Sequence, residues 1–126
     1  MKKTIFYHDT DCGGVVYYAN YLKYMEEART EYLAERGVFI KDLVKEGIYF
    51  VVARQEIDYK APAFYGDCLD IGAKISGVSA VKIEYDHEVK NQSGQVICLA
   101  RTTLVCVDNN IKPRPIPEDI GRKLSV

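Results

Sequence analysis

Residues 9–31 read DTDCGGVVYYANYLKYMEEARTE, and they join a glycine-containing polar loop to a long helical pattern. Residues 17–36 are predicted to form this helix, because apolar side chains recur at helical spacing from Tyr21 to Tyr32. Gly37 then supplies the left-handed residue that commonly ends a helix. The stretch therefore predicts a short loop that leads into one long amphipathic helix.

The remainder of the chain is dominated by alternation of apolar and polar residues, which is typical of strands with one wet face. Short links between these segments force antiparallel neighbours, because a parallel crossover needs a dozen or more residues. Residues 39–46 are predicted to form a second, short helix. The last strand is apolar on both faces, so we expect it at the centre of the sheet or against a partner subunit. The predicted strands are residues 4–7, 56–60, 69–75, 81–90 and 96–107.

Composition indicates one globular domain, because 126 residues of which 48% are hydrophobic can build a single core. The net charge of −1 argues against a nucleic-acid binder. No apolar run is long enough to span a bilayer, and residues 1–4 lead into a strand rather than a signal-peptide core. The four cysteines show neither CxxC spacing nor histidines at ligand spacing, so we expect reduced thiols in the cytoplasm and no metal site.

The loop before the long helix has two interpretations. An Asp-x-x-Gly sequence is ordinary turn chemistry, so Asp9 or Asp11 could simply cap a turn. A helix start, however, presents unpaired N–H groups and the positive end of a dipole. A carboxylate beside such donors can attack a carbonyl, or aim water at it, while the donors stabilise the developing oxyanion. This second interpretation predicts a site for acyl transfer or hydrolysis.

Three ordered blocks of sequence resemble those of the hotdog-fold acyl-CoA thioesterases, in the branch of 4-hydroxybenzoyl-CoA thioesterase and YbgC. The blocks are YHDTDCGGVVY at 7–17 with ARTE at 28–31, YKAPA at 59–63 with Asp67, and VCVD at 105–108 with KPR at 112–114. The resemblance runs over nearly the whole length. It implies an α+β hotdog fold, in which a curved five-stranded antiparallel sheet wraps around one long helix, as a single domain over residues 1–126.

Matched residue by residue, the resemblance implies that Asp11 is the catalytic carboxylate, acting as nucleophile or as base for water. It implies that the oxyanion donor is the backbone N–H of Tyr18, and that Tyr7 lies near the carboxylate. YbgC-type members usually have a histidine at the position of Tyr18, so the acyl specificity stays open. The residues expected to line the approach of the substrate are Gly14, Val15, Val16, Tyr17 and His8.

The resemblance also implies an acyl-CoA substrate, water as the second substrate, no cofactor, and a homo-oligomer, either a dimer or a tetramer. Short aliphatic and aromatic acyl groups both remain candidates, and an acyl carrier protein could replace coenzyme A. The residues that hold the CoA nucleotide are not assigned. Lys112 and Arg114 are candidates for that role, but solvated charges in a proline-rich tail explain them equally well.

Other chemistries fit the same segment. Cys12 and His8 could form a nucleophile pair. His8 together with Glu26 could instead abstract a proton, as in a hotdog dehydratase or hydratase, although an ion pair with Arg29 on the same helix explains Glu26 more simply. A non-catalytic acyl-CoA-binding module is a further alternative on this scaffold.

Two polar residues on strands are assigned to other roles. His87 shares the parity of the inward-facing residues of its strand, so we expect a hydrogen-bonded core histidine rather than a catalyst. Arg101 lies on the last strand, and we expect it to pair with an acid across a subunit interface.

Overall fold

The computed structural model describes residues 1–125. The helices and strands along the chain are β1 (Lys2–Thr4), a short 3-10 helix (Tyr7–Asp9), α1 (Asn20–Glu35), α2 (Ile40–Lys45), β2 (Tyr49–Tyr59), β3 (Cys68–Ile71), β4 (Lys74–Val78), β5 (Lys82–Lys90), β6 (Val96–Val107) and α3 (Glu118–Leu124). Within the described residues, no helix combines the length and the apolar content needed to cross a membrane.

The strands form one antiparallel sheet in the order β1-β3-β5-β6-β2, and β4 also pairs with β5. The strand β6 lies between β5 and β2, which confirms the central position predicted from its two apolar faces. The strand β2 is 11 residues long and lies at one edge of the sheet. Its outer side therefore has no strand partner within this chain.

The sheet has six strands rather than the five that the sequence predicted, because the strand expected at 69–75 is interrupted after Ile71. The N–H of Gly72 donates to the carbonyl oxygen of Glu88 at 2.9 Å. A Cβ at position 72 would lie only 3.1 Å from that oxygen. The two backbones approach too closely for a side chain, and the pairing resumes at Lys74. The predicted strand is thus two collinear strands, β3 and β4, along β5.

Helix α1 begins at Asn20, three residues later than predicted. The reason lies in the preceding turn, where the Asn20 side chain donates to the carbonyl oxygen of Asp9 at 2.9 Å. Strand β1 likewise ends at Thr4, before the predicted strand 4–7 is complete, because the chain turns into the 3-10 helix. Helix α3 was not predicted. Its two buried residues, Ile120 and Leu124, form too short a stripe to be read as a helix.

The apolar stripe of α1 packs on one face of the sheet, as the helical spacing predicted. The first half of the stripe packs with side chains from β3, β5 and β6 in one cluster, whereas Tyr32 and Leu33 belong to a second cluster with residues of α2 and α3. The buried apolar residues of the helix are Tyr21, Tyr24, Met25, Ala28, Tyr32 and Leu33.

The two polar strand residues have different outcomes. His87 is buried, and its Nδ1 lies 2.9 Å from the carbonyl oxygen of Gly72, which confirms a hydrogen-bonded core histidine. Arg101 has an acidic partner in its own chain, because its Nε donates to Asp86 at 3.1 Å on the adjacent strand, and a contact with an acid of a second subunit stays a prediction. Directly opposed positions on β5 and β6 bring these two residues together.

Candidate active site

The loop before α1 is a tight turn closed by backbone hydrogen bonds. The N–H of Asp11 donates to the carbonyl oxygen of Val15 at 2.9 Å, and the N–H of Gly14 donates back to that of Asp11 at 3.0 Å. Gly14 has a φ of 80°, a left-handed conformation that glycine adopts without steric cost. The second glycine of the pair is therefore required by the turn, which projects Asp11 and Cys12 into solvent.

The carboxylate of Asp11 uses only one of its oxygens in the loop. Its Oδ1 accepts the N–H of Gly13 at 2.8 Å, which is the turn role that the sequence left open. Its Oδ2 accepts no hydrogen bond from residues 1–125, and the residue is exposed. The turn thus fixes the orientation of the carboxylate and leaves one charged oxygen free to meet a ligand.

The start of α1 offers a free backbone donor. The N–H of Tyr18 has no acceptor among the described residues, whereas the N–H of Tyr17 donates to the carbonyl oxygen of Asp9 at 3.0 Å. The carbonyl oxygen of Tyr18 accepts the hydroxyl of Tyr59 at 3.1 Å. The Tyr18 residue is therefore held by its carbonyl while its N–H stays available, which is the arrangement that an oxyanion donor needs.

The turn that carries Asp11 is tied to the residues leading into α1 by a bridge between Thr10 and Val16. A hydrogen bond with Tyr18 is the main reason why the pKa of Tyr17 is raised, and the negative charge of Asp11 contributes to the same shift. The rings of Tyr17 and Tyr18 lie 4.9 Å apart, centroid to centroid. The bridge holds the turn beside the start of the helix, and the charge of Asp11 acts on Tyr17.

Asp9, by contrast, is a structural carboxylate. It is buried, its Oδ1 accepts the hydroxyl of Tyr24 at 2.7 Å, and its Oδ2 accepts the N–H of Phe6 at 2.9 Å. Burial would raise the pKa of Asp9, but these two hydrogen bonds and the charges of Lys3 and His8 outweigh it and hold the pKa below its ordinary value. Asp9 ties the 3-10 helix to α1 and has no free oxygen for chemistry.

The predicted substrate-binding residues are divided between the loop and its surroundings. Val16 is buried and donates its N–H to the carbonyl oxygen of Ala63, and Val15 forms a bridge with Phe64. The exposed Tyr7 ring packs edge-on against Tyr65 at 6.0 Å between centroids. The expectation that Tyr7 lies near Asp11 therefore remains a prediction.

The geometry gives little support to the alternative chemistries. Cys12 is exposed, and the Nε2 of His8 lies 3.6 Å from Asp9 rather than beside the thiol. The predicted ion pair between Glu26 and Arg29 is wrong, because Glu26 accepts the hydroxyl of Thr30 at 3.2 Å and Arg29 has no carboxylate within 4.0 Å. No group of three or more metal-ligating side chains occurs in residues 1–125.

An open groove of about 810 Å³ runs along α1 between the helix and the edge strand β2. Asn20 and Tyr24 line it in the first turns of the helix, and Arg29 lines it about two and a half turns beyond Asn20. The wall from β2 includes Val52 and Gln55. The free oxygen of Asp11 does not line this groove within one chain.

Sequence reasoning missed Asn20 and Tyr59, which shape the site without carrying its chemistry. Asn20 closes the turn onto Asp9, and Tyr59 reaches the helix start from the far end of β2. An asparagine at a helix start is a recognisable signal. No local signal could have identified the contact of Tyr59, because its partner Tyr18 is 41 residues away in the sequence.

Comparison with known proteins decides the family. The model of the thioesterase-like superfamily matches residues 7–124. The chain belongs to this superfamily. An acyl-CoA thioester hydrolase YbgC of Escherichia coli is 35% identical over 117 residues, which cover 92% of this chain and 87% of the relative.

Solved structures of the superfamily share the fold closely. A 1,4-dihydroxy-2-naphthoyl-CoA thioesterase from Synechocystis, Slr0204, superimposes with a TM-score of 0.90 at 27% identity, covering 98% of this chain and 93% of that one. A DHNA-CoA thioesterase from Staphylococcus aureus superimposes with a TM-score of 0.94 at 26% identity, covering 98% and 85%. The predicted α+β hotdog class and the stated resemblance are confirmed.

Proposed function

We propose that this thioesterase-like protein hydrolyses the thioester of acyl-CoA substrates. The proposal rests on two groups in the segment that leads into α1. One is the carboxylate oxygen of Asp11 that accepts no hydrogen bond, and the other is the backbone N–H of Tyr18 that has no acceptor. The names of its relatives, which are acyl-CoA thioester hydrolases and thioesterases, support the same reaction.

In the proposed reaction the thioester carbonyl oxygen accepts the N–H of Tyr18, and Asp11 acts at the carbonyl carbon. As a nucleophile, Asp11 forms a mixed anhydride while the C–S bond breaks and the thiolate leaves, after which water releases the acid. As a base, Asp11 takes a proton from the water that attacks the carbon. In both routes the same carboxylate and the same donor act, and no cofactor is needed.

The proposal includes a second copy of this chain. The edge strand β2 presents a row of unpaired backbone groups, together with the exposed Val52, and such an edge is a template for pairing with another strand. Pairing of two β2 strands would continue the sheet across a two-fold axis and close the groove beside α1. A dimer of this kind, or a tetramer built from it, is the assembly we propose.

The remaining parts of the proposal concern location and the choice of substrate. All four cysteines are free thiols, which fits the reducing cytosol. Coenzyme A and an acyl carrier protein both stay candidates for the thiol carrier. Lys112 and Arg114 lie in the segment after β6, and a role for them with the CoA nucleotide stays a prediction.

The test is thiol release from acetyl-, butyryl-, decanoyl- and 4-hydroxybenzoyl-CoA by the parent protein and by Asp11→Asn. We expect the variant to lose roughly a hundredfold or more of the activity while keeping its fold, because the group that acts on the carbonyl is gone. Cys12→Ala is the matched control in the same turn, and it should retain most activity. Equal losses in both variants would favour a thiol nucleophile instead.

An additional assay separates hydrolysis from the hydratase alternative. Incubation with a 3-hydroxyacyl-CoA should release free thiol and should produce no unsaturated acyl-CoA. Formation of the alkene without thiol would overturn the proposal in favour of a dehydratase. Tight binding of CoA with no thiol release from any acyl-CoA would favour a binding module.

A further inference from the structure

Arg29 is a buried cation that forms no ion pair with a carboxylate of residues 1–125, although the charge of Glu26 on the same helix acts on it. Only 7% of the residue is exposed, and no acidic oxygen among residues 1–125 lies within ion-pair distance of it. A guanidinium cannot lose its proton under ordinary conditions, so the charge persists in this environment. Buried charges are normally paired, so a carboxylate that enters the groove from outside the chain is a chemically suitable partner for this guanidinium.

The anchoring of Arg29 uses only one of its three nitrogens. Its Nη1 lies 3.4 Å from Nε2 of His87 and 3.5 Å from Oγ1 of Thr102. Because Nδ1 of His87 donates to the carbonyl of Gly72, its Nε2 is the acceptor that faces the guanidinium. The Nε–H and the two Nη2–H groups donate to nothing in residues 1–125.

The unused donors belong to a residue that lines the groove described above. The groove follows α1 from Asn20, beside the proposed oxyanion donor, to Arg29. Three other charged side chains along it, Lys23, Glu26 and Glu27, lie on exposed positions of the helix where water solvates them. The carboxylate of Asp9 also lines the groove, but its oxygens already accept two hydrogen bonds. Lys3, at the mouth, is half-buried and acts on Asp9.

We propose that the groove receives the acyl chain of the substrate and that Arg29 binds a carboxylate at its far end. The preferred substrates are then ω-carboxyacyl thioesters rather than plain alkyl ones. This inference rests on the proposed thioester hydrolysis and adds the class of acyl group. A planar carboxylate matches the fork formed by the Nε–H and Nη2–H groups.

The position of Arg29 also sets the length of the acyl chain. Eleven residues separate Tyr18 from Arg29, which corresponds to about 16 Å along the helix axis. The arginine side chain points back toward the start of the helix and shortens this gap by roughly a third. A dicarboxylic chain of medium length, such as suberyl, spans the remainder better than succinyl does.

The experiment compares acyl-CoA pairs of matched shape. In each pair the terminal carboxylate of one member is replaced by an isopropyl group in the other, as in glutaryl- and 5-methylhexanoyl-CoA, and longer pairs up to suberyl-CoA follow. We expect kcat/KM to favour the carboxylate by about tenfold or more at the best length. The absence of a preference at every length would overturn the proposal.

Arg29→Met removes the charge but keeps an unbranched apolar side chain. In this variant the preference for the carboxylate should disappear while hydrolysis of the alkyl member continues. Arg36→Met, which removes an exposed guanidinium just beyond α1, should keep the preference and controls for general attraction. A preference that survives in Arg29→Met would contradict the inference.

Two readouts are independent of catalysis. Free suberate should bind the intact protein in calorimetry, and Arg29→Met should lose this binding; failure to bind would overturn the inference even if thioesters are hydrolysed. The second readout is the oligomeric state, which tests whether an acid of a second copy of this chain is the partner of Arg29 instead. If Arg29→Met dissociates the oligomer and no carboxylate is preferred, an acid of the second copy pairs with Arg29, and the inference is wrong. Loss of thiol release alone, with binding intact, would count against hydrolysis only.

Discussion

Asp9 and Asp11 are two residues apart, yet their environments give them different roles. One oxygen of Asp9 accepts a hydrogen bond from Tyr24 and the other accepts one from Phe6, so both oxygens serve to hold the loop to α1. In Asp11, one oxygen accepts a hydrogen bond within its own turn and the other accepts none. The number of donors around each side chain thus makes Asp9 a structural carboxylate and leaves Asp11 with an oxygen that is available for the proposed chemistry.

The buried His87 should make stability depend on pH. Burial, aided by the charge of Arg29, lowers the pKa of His87 to about 4, against 6.5 in the unfolded chain. Between these values the unfolded state binds the proton more readily, so stability is fully present above pH 6.5 and falls toward pH 4. The expected loss is on the order of 3 kcal/mol, measured by urea unfolding across this range.

The control for this prediction is a pair of substitutions. His87→Gln keeps a donor for the carbonyl of Gly72 but cannot be protonated, so its pH dependence should be flatter than that of the parent. His8→Gln removes the other histidine of the chain, which lies 3.6 Å from Asp9, and its curve shows how much of the pH dependence comes from His8. Parallel curves for the parent and His87→Gln would show that His87 is not the titrating group.

Ile111 occupies a conformation that its side chain disfavours. Its φ is 59°, in the left-handed region, and a β-branched residue is strained there. The side chain is exposed, so it gains little from packing. Ile111→Asn should stabilise the protein by about 1 kcal/mol and raise the Tm by roughly 4 °C, measured by calorimetry. Ile111→Val keeps the strain and should show no gain; an equal gain in both would contradict this explanation.

At the scale of elements, the start of α1 depends on a strand that is distant in sequence. The hydroxyl of Tyr59, at the end of β2, donates to the carbonyl oxygen of Tyr18 and its ring lies against Tyr21. This contact fixes the residue whose N–H is the proposed oxyanion donor. Without it the turn before the helix can rotate, and the donor is less well aligned.

Tyr59→Phe removes only this hydroxyl. We expect kcat to fall by roughly fivefold, which is what the loss of one hydrogen bond of about 1 kcal/mol allows, while KM changes little. Tyr49→Phe is the matched control, because Tyr49 begins the same strand and its hydroxyl makes no hydrogen bond in residues 1–125. A change in KM alone would indicate that Tyr59 contacts the substrate rather than positioning the helix start.

At the scale of the whole molecule, the edge strand β2 decides whether one chain is sufficient. Its outer side is unpaired, and Val52 is 53% exposed at the middle of the strand beside the groove. Val52→Asp should place a charge in the proposed dimer contact and dissociate the oligomer, as measured by analytical ultracentrifugation. The monomer should remain folded by circular dichroism and should lose activity.

Leu99→Asp provides the comparison for this substitution. Leu99 is a similarly exposed apolar residue, but it lies on β6 inside the sheet rather than on the edge strand. It should leave the β2 contact intact. A parent protein that sediments as a monomer, or an equal effect of both substitutions, would contradict association through β2.

The sequence determined the order of the main elements, apart from α3 and the division into β3 and β4, and it identified the turn that bears Asp11. Helical spacing and strict alternation are local patterns, so α1 and β6 could be located from the residues alone. The Gly-Gly pair likewise identified a tight turn, because the left-handed conformation at Gly14 is a property of that residue. The family resemblance added the role of Asp11, which composition and spacing could not assign.

Only the tertiary structure decided which polar groups are satisfied and which are left free. Whether a carboxylate or a guanidinium finds a partner depends on residues brought together from distant parts of the chain, as Tyr24 is to Asp9 and Thr102 is to Arg29. The break at Gly72 and the contact between Tyr59 and Tyr18 have the same origin. Packing in three dimensions selects these partners, and a one-dimensional pattern carries no information on distances across the fold.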